Sequence, residues 1–153
     1  MLPLVCFVAG CGPRPLQLVG ISRGADGLPI AVVHHCPEEP VTRISFFENS
    51  MTLGPSGLLS WTVSGSGLPE SVTEVKLHEP PAGWKVSADT LQLGEADLGL
   101  GVSIGNLEVD GVSITSSDLA GLDPDKVWTS TVDGVGTALS REEFHRLAQE
   151  SCP

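Results

Sequence analysis

Short apolar runs with alternating polar side chains make up most of the sequence, and glycine or proline interrupts them every few residues. Successive side chains of a strand point to opposite faces, so this alternation is typical of antiparallel strands with one buried and one wet face. The pattern predicts strands at 16–21, 29–35, 41–47, 58–64, 71–77, 84–87, 98–104 and 126–131. The strand at 84–87 is predicted to continue at 90–93.

Two hairpins are predicted from the residues between these runs. The first joins 16–21 to 29–35 through Arg-Gly-Ala-Asp-Gly. The dipeptide Asp-Gly at 110–111 is a favoured two-residue turn and predicts the second, with Val109 opposite Val112. Apolar side chains then fall on one face of both arms.

A helix is predicted only at the end of the chain, in the segment REEFHRLAQES. Ser140 with Glu143 three residues later makes a capping box. Phe144 and Leu147 begin an apolar stripe that would dock the helix on a sheet. This docking would bring Cys152 close to the body of the domain.

The chain has 153 residues, which fits one domain with a sizeable core, and its 18 glycines and 12 prolines exclude long helices nearly everywhere. We therefore expect residues 16–153 to form a single all-β domain. The expected architecture is an antiparallel two-sheet sandwich of immunoglobulin-like general form with one short C-terminal helix, and closure into a barrel is the alternative. Trp61 and Trp84 are expected in its core.

The formal net charge of −11, from 8 basic and 19 acidic residues, argues against one class of partner. A phosphate backbone would be repelled, and the sequence has no cluster of Lys and Arg to offset the repulsion. We therefore predict no nucleic-acid partner. The acidic residues are scattered, which is typical of a solvated surface.

The apolar segment 2–8 is too short to span a bilayer, which needs about 20 residues, but has the length of a signal-peptide core. It ends in Val-Ala-Gly before Cys11, which looks like a bacterial lipobox, where the thiol takes a diacylglyceryl group and the peptide is cut before the cysteine. We expect residues 1–10 to be a lipoprotein signal peptide and 11–15 a lipidated tether at the extracytoplasmic face of the cell membrane.

No Lys or Arg precedes Cys11, although a signal peptide normally opens with one. Two alternatives therefore stay open beside the lipoprotein prediction. The true start lies upstream, or the segment is an uncleaved apolar strand with a structural cysteine.

The count of four cysteines predicts one disulfide. Cys6 would leave with the signal peptide and Cys11 would carry lipid, so Cys36 and Cys152 remain as a pair. Such a bond persists outside the cytoplasm, and its loop of more than 100 residues would constrain the unfolded chain by about 4 to 5 kcal/mol. Two separate buried thiols are the alternative.

The segment 101–105 matches the nucleophile pattern Gly-x-Ser-x-Gly, which works when a sharp strand-to-helix turn exposes the serine. Here the following residues indicate a turn and another strand, so Ser103 is interpreted as a strand residue. Asp110 and His145 are of the residue types that complete a catalytic triad, but the sequence gives no information on their geometry relative to Ser103. We predict no catalytic residue.

Two further groups resemble metal sites. His34 and His35 adjoin Cys36, but alternation sends His34 and Cys36 to one face and His35 to the other, which favours a structural or surface pair. The segment Asp-Pro-Asp at 123–125 lacks the further ligands of a calcium loop and indicates a turn. The sequence predicts no metal ligand and no cofactor.

The mature chain resembles a group of small, functionally uncharacterised lipoproteins of actinobacteria. The resemblance rests on five segments. They are FVAGC at the start, Cys36-Pro37 after an early strand, Pro-Pro-Ala-Gly-Trp ending at Trp84, LAGLDPDKVW at 119–128, and the C-terminal segment SREEFHRLAQESC. It implies a location and a covalent framework, and it implies no catalytic or binding residue.

Three functions follow as hypotheses. The first is a non-catalytic interaction or structural module, anchored to the membrane by lipid, which contacts an envelope protein through its sheet faces or loops. The second is a carrier of a small ligand or metal that the loops present, using His34, His35 and the scattered Asp residues. The third and least favoured is a hydrolase that uses Ser103.

Overall fold

The computed structural model describes residues 18–36, 38–49, 59–68, 72–130 and 135–151. Alternating apolar residues form the strands, as the sequence predicts. The elements in these ranges are β1 (Val19–Arg23), β2 (Pro29–His34), β3 (Val41–Glu48), β4 (Ser60–Ser64), β5 (Val72–Lys76), β6 (Lys85–Asp89), β7 (Leu98–Ile104), β8 (Leu107–Ile114), α1 (Ser116–Gly121), β9 (Lys126–Ser130), β10 (Gly136–Ser140) and α2 (Arg141–Ser151).

The ten strands form two five-stranded sheets. Sheet 1 has the order β10-β9-β1-β2-β5, and sheet 2 has the order β6-β4-β3-β7-β8. Every pairing within them is antiparallel. The prediction of an all-β antiparallel two-sheet sandwich with a short C-terminal helix is confirmed.

The main core lies between the two sheets. Ile21 and Val33 contribute to it from sheet 1, and Ile44, Phe46 and Trp61 contribute from sheet 2. All five side chains are buried, so burial of Trp61 is confirmed. The interdigitated inner faces therefore give the sandwich most of its hydrophobic stabilisation.

Trp84 lies at the margin of this core and is only partly buried. Its indole covers the backbone of Gly65, where any Cβ would overlap the ring. Its Nε1 donates to the carbonyl oxygen of Ser66 at 3.1 Å. The amphipathic indole thus covers the place where β4 ends and β6 begins, and keeps its polar atom satisfied.

A second, smaller core forms on the outer face of sheet 1, where α2 packs. Val32, Val127 and Phe144 are its buried members. The amide of Glu143 donates to Ser140 Oγ at 3.1 Å, which confirms the predicted cap of this helix. The alternation in β2 therefore serves two cores, since Val33 points between the sheets and Val32 points toward α2.

The hairpin of β7 and β8 turns at 105–106, where Ile104 pairs with Leu107 and the glycine has a φ of 58°. The predicted turn at 110–111 is wrong. That dipeptide lies inside β8, the register with β7 shifts beside it, and its glycine has a φ of 150°. Glycine there allows a β-bulge rather than a chain reversal.

Three other elements differ from the sequence-based expectation. The helix α1 and the strand β10 are additional, and the strand predicted to continue at 90–93 is a loop after β6. The reason for α1 is local: Thr115 Oγ1 accepts from the amide of Asp118 at 3.0 Å and caps a single short turn of helix. Residues 1–17, with the predicted signal peptide and tether, lie outside the described residues.

Candidate functional site

The sandwich has two ends that differ in what they carry. The near end is where the chain enters sheet 1: Leu18 accepts from the amide of His34 at 2.9 Å, and Pro40 accepts from the amide of Gly105 at 2.8 Å. The far end carries the β1–β2 turn, the loop 90–97 between β6 and β7, and α1. Because β1 runs from one end to the other, the N-terminal segment joins the end opposite α1.

A pocket of about 170 Å³ opens at the far end. It lies where the two sheets separate and where α1 and the loop 90–97 close the space between them. Its lining among the described residues consists of Gly27, Glu48, Leu91, Gln92, Leu93, Gly94, Ala96, Asp97, Leu98, Ser116, Leu119 and Ala120.

The floor of this pocket is the margin of the main core. Leu91, Leu98 and Leu119 belong to that core and are each less than a tenth exposed. Leu93, in contrast, is 44 % exposed. The pocket therefore has apolar walls that continue into the packed interior, with an apolar side chain at the rim.

Hydrogen bonds hold the walls in place. Ser116 Oγ donates to the carbonyl of Glu95 at 3.2 Å and so joins α1 to the loop 90–97. The amide of Asn49 donates to the carbonyl of Asp97 at 2.7 Å and joins the end of β3 to the same loop. Arg23 also donates to the carbonyl of Ala120. These bonds attach the pocket walls to both sheets, which favours a preformed cavity.

Two carboxylates, those of Glu48 and Asp97, belong to the lining. Neither forms an ion pair with any residue in the described part of the chain. Asp26 on the neighbouring β1–β2 turn is different, because its hydrogen bond with Lys76 and that with the amide of Leu28 hold the pKa of its carboxyl below the ordinary value. The pocket thus combines apolar walls with unneutralised negative charge.

The histidine pair lies at the near end. His34 and His35 are both buried, and His34 Nδ1 and His35 Nε2 have no hydrogen-bond partner among the residues that the structure describes. Burial lowers the pKa of His34, and the nearby His35 and His145 lower it further. Among the described side chains, no group of three or more His, Cys, Asp or Glu is arranged to hold a metal ion.

Cys36 follows this pair and takes part in a disulfide. Its predicted partner, Cys152, lies outside the described residues, as does the predicted lipidation site Cys11. The pairing and the lipidation therefore stay predictions. α2 ends at Ser151, and its direction from the far end toward the near end brings the chain back to the end that holds Cys36.

Ser103 lies on the outer face of sheet 2, because its neighbours Val102 and Ile104 point into the main core. In register it stands between Arg43 and Glu108, whose side chains form an ion pair of 3.5 Å. His145 lies on α2, against the outer face of sheet 1.

The whole sandwich separates the serine from this histidine, so the two cannot share a proton in catalysis. The side chain of Asp110, the remaining member of the triad considered from the sequence, is not among those described. The other motif of the sequence, Asp-Pro-Asp, forms a turn, in which Asp123 Oδ1 accepts from the amide of Asp125 at 3.0 Å.

Sequence reasoning missed the pocket. Its lining comes from segments as distant as Gly27 and Ala120, and alternation carries no information on which loops meet. Two features of the sequence point to parts of the pocket: Thr115 three residues before Asp118 is a helix-capping pattern, and Leu93 is a large apolar residue directly before a glycine.

Comparison with known proteins does not add a relative: the chain matches no protein-family model, no curated protein and no solved structure. In the described ranges, neither helix has the length and apolar character needed to cross a membrane.

Proposed function

We propose that this protein is a non-catalytic interaction module of the cell envelope, tethered by a lipid on Cys11 at the extracytoplasmic face of the membrane. The observation that carries the proposal is the placement of the pocket. The N-terminal segment joins the near end, and the pocket opens at the far end. A lipid on the N-terminal side would leave the pocket pointing away from the bilayer, where a partner can reach it.

The packing of the domain supports a role in presenting the pocket to a partner. The two cores fasten both sheets and α2 into one rigid body, and the pocket walls are hydrogen-bonded to that body. A rigid scaffold with a preformed apolar pocket binds a partner at a low entropic cost. The tether would supply the local concentration at the membrane.

Photo-crosslinking in intact cells tests the proposal. We would place a photoreactive phenylalanine analogue at Leu93 on the pocket rim or at Leu107 at the near end, which are 44 % and 45 % exposed and so form a matched pair. The full chain is expressed with its natural start, and Cys11→Ser is the anchoring control. We expect a reproducible protein adduct from the membrane fraction, and Cys11→Ser should release the chain from that fraction.

Two results would contradict the proposal. Absence of a protein adduct at both positions would disprove the proposal that the protein is an interaction module. The lipid anchor is disproved by a Cys11→Ser chain that stays in the membrane fraction and whose N-terminal mass differs from the parent's only by the exchange of sulfur for oxygen. An adduct from Leu107 alone would agree with an interaction module, but it would place the contact with the partner at the near end and not at the pocket.

A further inference from the structure

We infer that the far-end pocket receives one apolar side chain of a partner protein, and that a Lys or Arg next to that side chain pairs with Glu48 and Asp97. This inference rests on the proposed function and names the chemistry of the partner. The expected ligand is thus a short basic and apolar segment, with leucine or phenylalanine between cations.

The size of the pocket argues for a single side chain. Pockets for drug-sized molecules occupy roughly 300 to 1,000 Å³, and this one holds about 170 Å³. An engineered apolar cavity of about 150 Å³ in another protein binds benzene. The far-end pocket therefore has room for one ring or one branched aliphatic group, which is what the anchor residue of a protein interface supplies.

The charge of the pocket argues for a basic neighbour. Glu48 and Asp97 have no cation among the described residues, so an uncharged ligand that covered them would desolvate two carboxylates without providing a partner for either. A cation brought by the partner would avoid that desolvation cost. The formal net charge of −11 attracts a basic segment at longer range as well.

The rim adds a reason to prefer a protein partner to a small molecule. Leu93 stands exposed beside the mouth, and the polar Gln92 adjoins it in the lining. An interface with an apolar anchor at its centre and polar groups around it has this arrangement. A small apolar molecule inside the cavity would leave Leu93 exposed.

A titration of the ¹⁵N-labelled full chain with defined peptides tests the inference. The probe is acetyl-Lys-Leu-Lys-amide, and the controls are acetyl-Lys-Ser-Lys-amide, which lacks the anchor, and acetyl-Glu-Leu-Glu-amide, which reverses the charge. We expect the probe at millimolar concentration to shift amide signals at 91–98 and 116–120. Both controls should bind at least about tenfold more weakly, because one lacks the apolar anchor and the other lacks the cations. A factor of ten corresponds to about 1.4 kcal/mol of binding free energy.

Two pairs of variants locate the binding. Glu48→Gln with Asp97→Asn should weaken the probe about three- to tenfold, whereas Glu38→Gln with Glu142→Gln removes two exposed charges outside the lining and should leave binding unchanged. Ala120→Phe fills the pocket and should abolish the shifts, and Ala120→Ser keeps the cavity and should retain them. Unchanged amide signals in β5 and β9, which hold none of the substituted residues, show that each variant is folded.

Three outcomes would overturn the inference: no shifts at 10 mM probe, equal binding of the serine or glutamate peptides, or shifts that persist in folded Ala120→Phe. These outcomes are distinguishable from failure of the proposed function. An adduct from Leu107 in cells, together with a peptide titration that fails, removes only the pocket as the contact. Absence of adducts from both crosslinking positions removes the module itself.

Discussion

Gly20 is the residue that lets α2 approach sheet 1 closely. A Cβ at this position would lie 2.9 Å from the carbonyl oxygen of Trp128 and 3.3 Å from Cε2 of Phe144. A backbone carbonyl in a paired strand cannot move without breaking the pairing. The close packing of the second core therefore depends on the absence of one methyl group.

We expect Gly20→Ala to lower the free energy of unfolding by about 2 kcal/mol, which is typical of overpacking in a close-packed interior. Urea denaturation followed by tryptophan fluorescence measures the change. Gly121→Ala is the control, because a Cβ there meets nothing within 4 Å and its φ is ordinary. That variant should be unchanged or more stable by up to about 1 kcal/mol. Equal stability of Gly20→Ala and the parent would contradict this account of the second core.

His34 is expected to make stability depend on pH. Its pKa lies below the ordinary value of 6.5 in the folded chain because of burial and the nearby His35 and His145. The unfolded chain therefore binds more protons than the folded chain just below pH 6.5. The free energy of unfolding should fall as the pH drops through 6.5, and it should level off below the folded pKa of His34.

Urea denaturation between pH 8 and pH 5 measures this slope, and His34→Leu should flatten it. Asp26 does not act in this window, since its pKa is lowered from 3.8 and its contribution is lost only at lower pH. Leu139→Ala removes an apolar side chain that packs on the second core and no titrating group, so it should lower stability equally at every pH. A slope that His34→Leu leaves intact would show that another group is responsible.

At the scale of the elements, α2 is fastened to sheet 1 at its first residue. Arg141 pairs with Glu74 of β5, donates to Ser22 Oγ of β1 at 2.8 Å and contacts the carbonyl of Pro124 at 3.3 Å. One guanidinium thus joins the helix to two strands and to the segment before β9. A planar donor with several N–H groups is suited to this role, and a lysine would not replace it.

Arg141→Ala should lower the free energy of unfolding by about 1 to 2 kcal/mol, because several charge-assisted hydrogen bonds at a half-buried site are lost together. Arg146→Ala is the matched control on the same helix. Its pair with Glu150, at 2.9 Å, has both side chains more than half exposed, and such pairs contribute less than about 0.5 kcal/mol. Chemical denaturation of the two variants side by side decides the point, and equal losses would contradict it.

The hairpin of β7 and β8 shows why the sequence predicted strands better than turns. Val109 and Val112 are three residues apart, so a strict alternation would place them on opposite faces. A two-residue turn between them, or a one-residue bulge, places both valines on the same face of the sheet. The apolar pattern fits either choice, and only the pairing of Ile104 with Leu107 decides for a bulge at 110–111.

The extra elements were missed for a related reason. α1 has six residues, too few for a helical period to stand out, and its only buried residue is Leu119. β10 carries Gly136 under the indole of Trp128, a position where close approach of a ring replaces the apolar side chain that a strand pattern needs. The long alternating runs and the capped amphipathic α2, in contrast, follow from local chemistry and were predictable.

At the scale of the whole molecule, the candidate site could not be predicted, because it exists only where distant segments meet. Glu48 ends β3, Asp97 precedes β7 and Leu119 lies on α1, and no short sequence pattern connects them. The near end was more accessible to sequence reasoning, since the cysteine count and the alternation in β2 both concern that end. The two ends of one sandwich thus differ in how much local sequence determines them.

The disulfide is the last feature that concerns the whole molecule. Cys36 is disulfide-bonded at the near end, and α2 runs toward that end and stops at Ser151. The sequence-based partner, Cys152, is the next residue along the chain. A bond between them would close a loop of more than 100 residues and tie the helix to β2 at the end opposite the Arg141 contacts.

Cys152→Ser should therefore lower the free energy of unfolding by about 4 to 5 kcal/mol in the loop-entropy model, measured by urea denaturation without reductant. Cys36→Ser should cost the same, and the double variant should cost no more than either, because both changes remove one bond. Cys6→Ser should leave stability unchanged. Loss of stability in Cys6→Ser or Cys11→Ser but not in Cys152→Ser would assign Cys36 a partner on the N-terminal side. The N-terminal segment would then be a covalent part of the near end, and the lipid anchor on Cys11 would need to be reconsidered with it.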